Sequence, residues 1–211
     1  MYKLAEDTEA IRELHKTCST YMKELEHLLK EEYGISSQVS LVGSAKRNLI
    51  TLNGNDRSID FDYNLKVYNG MDSKAADLKN NVRSAFNEIM RRNGHKDVND
   101  STSSLTTKPI FSWNAAPYQN YHIDLCIITE HKGQILRLIH DKGNNRYIWN
   151  TSSNISALKN KERVLKPSHW LEVRKVYVDK KNLHINDKEN HPSYNCYIEA
   201  VNEVYYKYFH K

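Results

Sequence analysis

Apolar residues return every three or four positions from about Glu6 to Tyr33, at Ile11, Leu14, Cys18, Tyr21, Met22, Leu25, Leu28 and Leu29. That period gathers them on one face of a helix, and Gly34 supplies a stop, because glycine accepts the left-handed backbone that ends many helices. The period then drops to two. Gln38–Val42 reads as a strand leading to a Gly43-Ser44 turn, and Ser58–Val67 as a second, longer strand closed by Asn69-Gly70. A helical pattern resumes at Ala75, Ala76, Leu78, Val82, Phe86, Ile89 and Met90, capped by Asp72 or Ser73 and ending near Gly94. The Ser- and Thr-rich stretch 101–112 is predicted to be extended, with Pro109 confined to an edge or bulge. Residues 121–129 form the next strand, turning through Glu130-His131-Lys132-Gly133 into 134–140. Beyond it the pattern is mostly helical, around 154–161, 168–181 and 192–210, with Pro192 suited to a first helical turn. The expected division is a core of residues 1–150, including the N-terminal helix, and a helical region 151–211 packed on it.

Composition changes this picture little. A chain of 211 residues is long enough to bury a real core. Cys18, Cys126 and Cys196 are odd in number and widely spaced, which argues against both a disulfide framework and a zinc site. The polar N-terminus and the absence of a long apolar run lead to the expectation of a cytoplasmic protein without a membrane segment. Charge is uneven. Residues 1–33 carry five basic and eight acidic groups, so the remainder holds +8 of a formal net charge of +5. Such a balance favours anionic partners without separating free nucleotides from nucleic acid.

The second strand carries the most informative chemistry. Ile59, Phe61, Tyr63, Leu65 and Val67 share one face, while Asp60, Asp62, Asn64 and Lys66 share the other. Charges alternating along a half-buried strand ordinarily make only a solvated face. Two further features count against that here. Val42-Gly43-Ser44 precedes the acids, and Asp124 interrupts the otherwise apolar run from Tyr121 to Ile128. A carboxylate inside a buried run costs several kcal/mol unless it is paired or binds a cation. Acids held close together repel one another, and hard divalent cations prefer oxygen ligands.

Val42-Gly43-Ser44, Asp60-Phe61-Asp62 and Asp124, in that order, resemble the pattern of the polymerase-β-like nucleotidyltransferase superfamily. The resemblance covers about residues 38–130. The predicted element order agrees with the α+β fold it implies: a small mixed β-sheet core flanked by helices, with a C-terminal helical region. It further implies a nucleoside monophosphate transferred from an NTP, ATP among the candidates, to a hydroxyl with release of pyrophosphate. Asp60, Asp62 and Asp124 are then the catalytic residues and the ligands of Mg²⁺ or Mn²⁺. Gly43 and Ser44 would hold the β- and γ-phosphates, with Lys46 and Arg47 adding charge. Two departures stand out. Fifteen residues lie between Ser44 and Asp60, more than most members have, with Asn53-Gly54-Asn55-Asp56 as the expected inserted turn. Asn48-Leu49 stands where many chain-extending relatives carry threonine.

The acceptor stays open at this point: an RNA end, a small molecule, a protein side chain or a second nucleotide. So does a competing class, a non-catalytic nucleotide- or RNA-binding protein, or a nucleotidyltransferase-like part of a toxin–antitoxin or phage-defence module. Lys159, Lys161, Arg163, Lys166, Arg174 and Lys175 form a basic C-terminal stretch suited to phosphates or simply to solvent. Trp170, Tyr177, Tyr194, Tyr197, Tyr205 and Tyr206 fit base stacking or, more commonly at helical spacing, a core. The ten histidines show no metal-ligand spacing, and His122 reads as structural.

Overall fold

The structure, a computed structural model, describes residues 1–6, 8–112, 117–152, 156–186 and 191–209. In chain order it begins with β1 (Tyr2–Leu4), α1 (Thr8–Tyr33), β2 (Ser37–Leu41), α2 (Gly43–Arg47), β3 (Thr51–Asn53) and β4 (Ser58–Val67). A 3₁₀ turn at Gly70–Asp72 leads to α3 (Ala75–Arg92) and the short strands β5 (Asn99–Asp100), β6 (Leu105–Thr106) and β7 (Ile110–Phe111). Then come β8 (Asn120–His131), β9 (Gln134–Asp141), β10 (Arg146–Thr151), α4 (Ser156–Leu165), α5 (Trp170–Leu183) and α6 (Ser193–Phe209). These elements cluster into two units. One comprises Asp7–Asn48 and Arg57–Ser152; the other comprises Met1–Glu6, Leu49–Asp56 and Ser153–Lys211.

The first unit is built on a mixed sheet of strand order β10-β9-β8-β4-β2. β4 and β8 run parallel while the other neighbours in that order are antiparallel. A parallel pair needs a long crossover, and the connection from β4 to β8 through α3 supplies it. Burial follows the sequence pattern closely. Ile59, Phe61, Tyr63, Leu65 and Val67 are all buried on β4, and Tyr121, Ile123, Leu125 and Ile127 on β8. α1 buries Leu14, Cys18, Tyr21, Met22, Leu25, Leu28 and Leu29, seven of the eight positions its period selects. Its His15 ring lies 5.9 Å from Phe61 and 6.4 Å from Tyr63, centroid to centroid. Gly34 ends α1 with φ +64, as its position predicts.

β10 is absent from the sequence prediction. Arg146–Thr151 shows no alternation, because as an edge strand paired only with β9 it has no fully buried face. Gly43-Ser44, expected as a turn, is the first residue pair of the short helix α2.

The second unit packs α4, α5 and α6 around Leu49, Leu165, Val173, Tyr177, Cys196, Tyr197, Ala200, Val201 and Val204. β1 and β3 pair antiparallel beside them, so the N-terminus is a strand where a polar approach to a helix was expected. The reason lies in its partners. The Tyr2 amide donates to Asn182 Oδ1 at 2.6 Å, Asn182 Nδ2 returns a bond to the Tyr2 carbonyl at 3.0 Å, and Lys181 Nζ lies 3.9 Å from the Tyr2 ring centroid. Asn53, the start of the expected inserted turn, ends β3 instead, and Gly54 follows with φ +59. No described helix is long and apolar enough to cross a membrane.

Candidate active site

The parallel register of β4 and β8 sets Asp62 directly opposite Asp124. Neighbouring strands lie about 5 Å apart, so two acids are side by side across the ladder. Asp60 is on the same face of β4, roughly 6–7 Å along the strand from Asp62 at the Cα atoms. Asp60 is exposed, whereas Asp62 and Asp124 are half-buried.

The turn after β2 closes against this pair. Gly43 has φ +66, and a Cβ there would stand 1.9 Å from Asp62 Oδ2 and 2.6 Å from its Cγ. Only glycine permits both the backbone conformation and the approach. The Val42 amide donates to the Asp62 carbonyl at 2.8 Å, continuing the β2–β4 pairing to the edge of the turn. The Ser44 amide donates to the Asp62 side chain. Arg47 Nη1 donates to the Gly43 carbonyl at 3.0 Å and so braces α2 from within. Lys46 is exposed on the same short helix, and its charge adds to burial in lowering the pKa of His15.

These contacts set the electrostatics. Burial first, then Asp124 and Asp60, push the Asp62 carboxyl up to about 6, against the opposing pull of the Ser44 amide and Arg47. A rise of that size corresponds to a cost on the order of 3 kcal/mol in the charged state. The five apolar side chains on the other face of β4 contribute about 1.5–3 kcal/mol each by burial, so the strand holds the acid in place regardless. An all-oxygen set of acids, one of which resists ionising beside the others, fits a hard divalent cation.

Asp124 has its own support. Thr106 Oγ1 donates to Asp124 Oδ1, and β6 pairs with β8 so that Thr106 faces Asp124 in register. The Ser104 hydroxyl lies 3.2 Å from that of Thr106, and the Ser101 hydroxyl 2.8 Å from that of Ser104. Sequence reasoning missed Thr106. Its only signal was the density of Ser and Thr in 101–112, which says nothing of strand register. His122 Nδ1 lies 3.2 Å from the Thr107 carbonyl, a backbone contact consistent with a structural residue.

The aromatic and basic residues singled out near the C-terminus lie in the second unit. Tyr177 and Tyr197 are core, and Trp170 and Tyr205 pack partly buried against it. Tyr194 and Tyr206 are exposed. Lys161 donates to Asn202 Oδ1 at 2.7 Å and lies 4.3 Å from the Tyr206 ring centroid, while Lys166 lies 5.5 Å from that of Trp170. Among the described residues, the histidine and acidic side chains whose ligand atoms meet within 4.8 Å of one another are His184, His191 and Glu199, also in this unit.

The mixed sheet with helices on its flanks is a fold found in other solved proteins. Solved structures of cyclic dinucleotide synthases share it. The Vibrio cholerae cyclic AMP-GMP synthase DncV is 15% identical with a TM-score of 0.59, over 88% of this chain and 52% of its own. The Elizabethkingia meningoseptica synthase CdnE is 12% identical with a TM-score of 0.55, over 87% and 68%. CdnC of Escherichia coli MS115-1 is 13% identical with a TM-score of 0.52, over 92% and 60%. The chain thus spans from about half to about two thirds of the length of these proteins. No family model and no curated protein matches it.

Proposed function

We propose that this chain is a metal-dependent nucleotidyltransferase that joins nucleotides, using an NTP as donor and the hydroxyl of a second nucleotide as acceptor. The observation that carries the reading is Asp62 opposite Asp124 on parallel strands, with Gly43 packed against Asp62. Support for the acceptor comes from the shared fold. DncV is described as a cyclic AMP-GMP synthase and in complex with the linear intermediate pppA(3′,5′)pG, and CdnE as a cyclic dinucleotide synthase with GTP and Apcpp.

In this reading Asp60, Asp62 and Asp124 hold Mg²⁺ or Mn²⁺, which when bound neutralises the triphosphate and lowers the barrier to attack on it. Gly43 and Ser44 hold the β- and γ-phosphates, and Lys46 and Arg47 add positive charge beside them. The acceptor oxygen attacks the α-phosphorus, the bond from that phosphorus to the bridging oxygen breaks, and pyrophosphate leaves. Asp124 accepts the proton lost by the hydroxyl, with Thr106 fixing the orientation of its carboxylate.

The test is incubation with pairs of NTPs and Mg²⁺, following pyrophosphate and resolving the nucleotide products by mass spectrometry. A linear or cyclic dinucleotide, lost in Asp62→Asn, supports the reading. Pyrophosphate release with the nucleotide on an added RNA or small molecule would keep the transferase and replace the acceptor. NTP binding without turnover in any pair would favour the binding-only alternative.

A further inference from the structure

We propose that His184, His191 and Glu199 form a binding site for a borderline divalent ion such as Zn²⁺, separate from the aspartates. Their ligand atoms all lie within 4.8 Å of one another, and all three side chains are half-buried. The His184 and His191 rings are stacked with centroids 4.1 Å apart and planes inclined by 22°. His191 Nε2 lies 2.8 Å from Glu199 Oε1.

The chemistry of this set differs from that of the sheet. Two imidazoles and one carboxylate suit Zn²⁺, Co²⁺ or Ni²⁺, whereas Mg²⁺ prefers oxygen alone. Three protein ligands with a fourth position left to water is an ordinary zinc arrangement. Around a tetrahedral ion with bonds near 2.0–2.2 Å, ligand atoms stand about 3.4 Å apart. Closing from 4.8 Å asks only for side-chain rotation, which half-exposed side chains can make.

Both histidines adjoin helices that pack on each other. His184 caps the C-terminus of α5, and His191 precedes Pro192, whose carbonyl accepts the amide of Asn195 at 2.8 Å in the first turn of α6. Proline also restricts the chain at that point. Val173 and Tyr177 of α5 share a core with Cys196, Tyr197, Ala200 and Val201 of α6, and the Lys180–Glu203 ion pair at 2.8 Å crosses between the helices. Two lysines near the end of α5 are engaged elsewhere, Lys180 with Glu203 and Lys181 with Thr51 Oγ1 at 2.8 Å. The ion would therefore clamp the end of α5 to the start of α6.

Co²⁺ is the probe, titrated into the full chain in excess Mg²⁺ so that oxygen-only sites are filled. The expected result is one equivalent bound with visible d–d absorption of a four-coordinate ion, displaced by Zn²⁺. The signal should be lost in His184→Ala and His191→Ala, weakened at least about tenfold in Glu199→Gln, and retained in an Asp60→Asn/Asp62→Asn double variant. Should His191→Ala not fold, His184→Ala at the end of α5 carries the test. No absorption at saturating Co²⁺, or an undiminished signal in His184→Ala, overturns the site. Loss of the signal in the aspartate variant would overturn it too, by assigning the metal to the sheet. None of these results depends on whether the chain transfers nucleotides.

Discussion

Gly43 and Asp62 are packed so closely that one methyl group on the glycine would overlap the carboxylate, 1.9 Å from Oδ2. The carboxylate cannot simply swing away, because it accepts the Ser44 amide from the same turn. Fifteen residues lie between the end of that turn and Asp60, yet the β2–β4 pairing brings the turn back onto the acid strand. The glycine is therefore part of the carboxylate's position as well as of the turn.

Gly43→Ala follows directly. A left-handed backbone costs a residue with a Cβ about 1–2 kcal/mol, and the overlap with Asp62 adds to it. A lower melting temperature and at least about tenfold weaker NTP binding are expected, measured by calorimetry on the folded variant. Wild-type affinity would mean that the turn serves only to connect β2 and α2.

The raised Asp62 pKa makes the metal-free protein pH-sensitive. Its folded-state value of about 6 lies above the ordinary 3.8, so the folded chain holds this proton more tightly than the unfolded one. The stabilisation is complete below the ordinary value and is lost as pH rises through about 6. Urea unfolding in chelator should show stability falling by up to about 3 kcal/mol between about pH 4 and 7 from this group. Asp62→Asn, whose amide oxygen can still accept from Ser44, should flatten that fall, match or exceed the wild type at neutral pH and abolish transfer. A large loss of stability in that variant would mark the acid as structural.

What the sequence made legible was local. The alternation in Ile59–Val67 and Tyr121–Ile127 decided which side chains are buried, because a one-residue slip would turn five apolar groups to solvent. The same alternation exposed the three acids as a group. Pairing between distant strands was not legible: nothing in either segment says that Asp62 and Asp124 stand abreast, or that Thr106 comes up beside Asp124. β1, β3 and β10 escaped because they are short and bury too few side chains to set a period, none on β1 or β10 and Leu52 alone on β3. His184, His191 and Glu199 are seven and eight residues apart, a spacing that means nothing until α5 and α6 fold back on each other.

A second set of buried charges lies in the sheet unit. Lys79 on α3 is 1% exposed, and its Nζ lies 3.2 Å from Asp100 Oδ1. Tyr147 donates to the other oxygen of Asp100, and its ring stacks on His140 at 4.5 Å. Burial lowers the Lys79 pKa, only partly offset by Asp100. Lys79→Met leaves Asp100 buried without its cation and should cost about 3–5 kcal/mol, whereas Lys79→Met/Asp100→Leu should recover much of that loss. Chemical denaturation of the single and double variants measures both. Equal losses would show that Asp100 is held by Tyr147 rather than by the lysine.

Thr106→Val isolates the support of Asp124. Valine keeps the volume and β-branching that suit β6 but removes the hydroxyl that donates to Asp124 Oδ1. The fold should survive, since the hydroxyl's two partly buried contacts, to Asp124 and to Ser104, are worth about 1 kcal/mol each. The carboxylate, however, becomes free to rotate. Residues that orient a metal-binding side chain typically change metal affinity or activity by about 10–100-fold when removed. The expected signature is a higher Mg²⁺ concentration for half-maximal rate and a lower kcat, with KM for the NTP little altered because Gly43, Ser44 and the cations of α2 are untouched. Thr106→Ser restores the donor and should recover most of the rate. A purely structural threonine would behave otherwise: both variants would shift the melting temperature without moving the Mg²⁺ dependence. Wild-type kcat in Thr106→Val would show that the β8 backbone alone fixes Asp124.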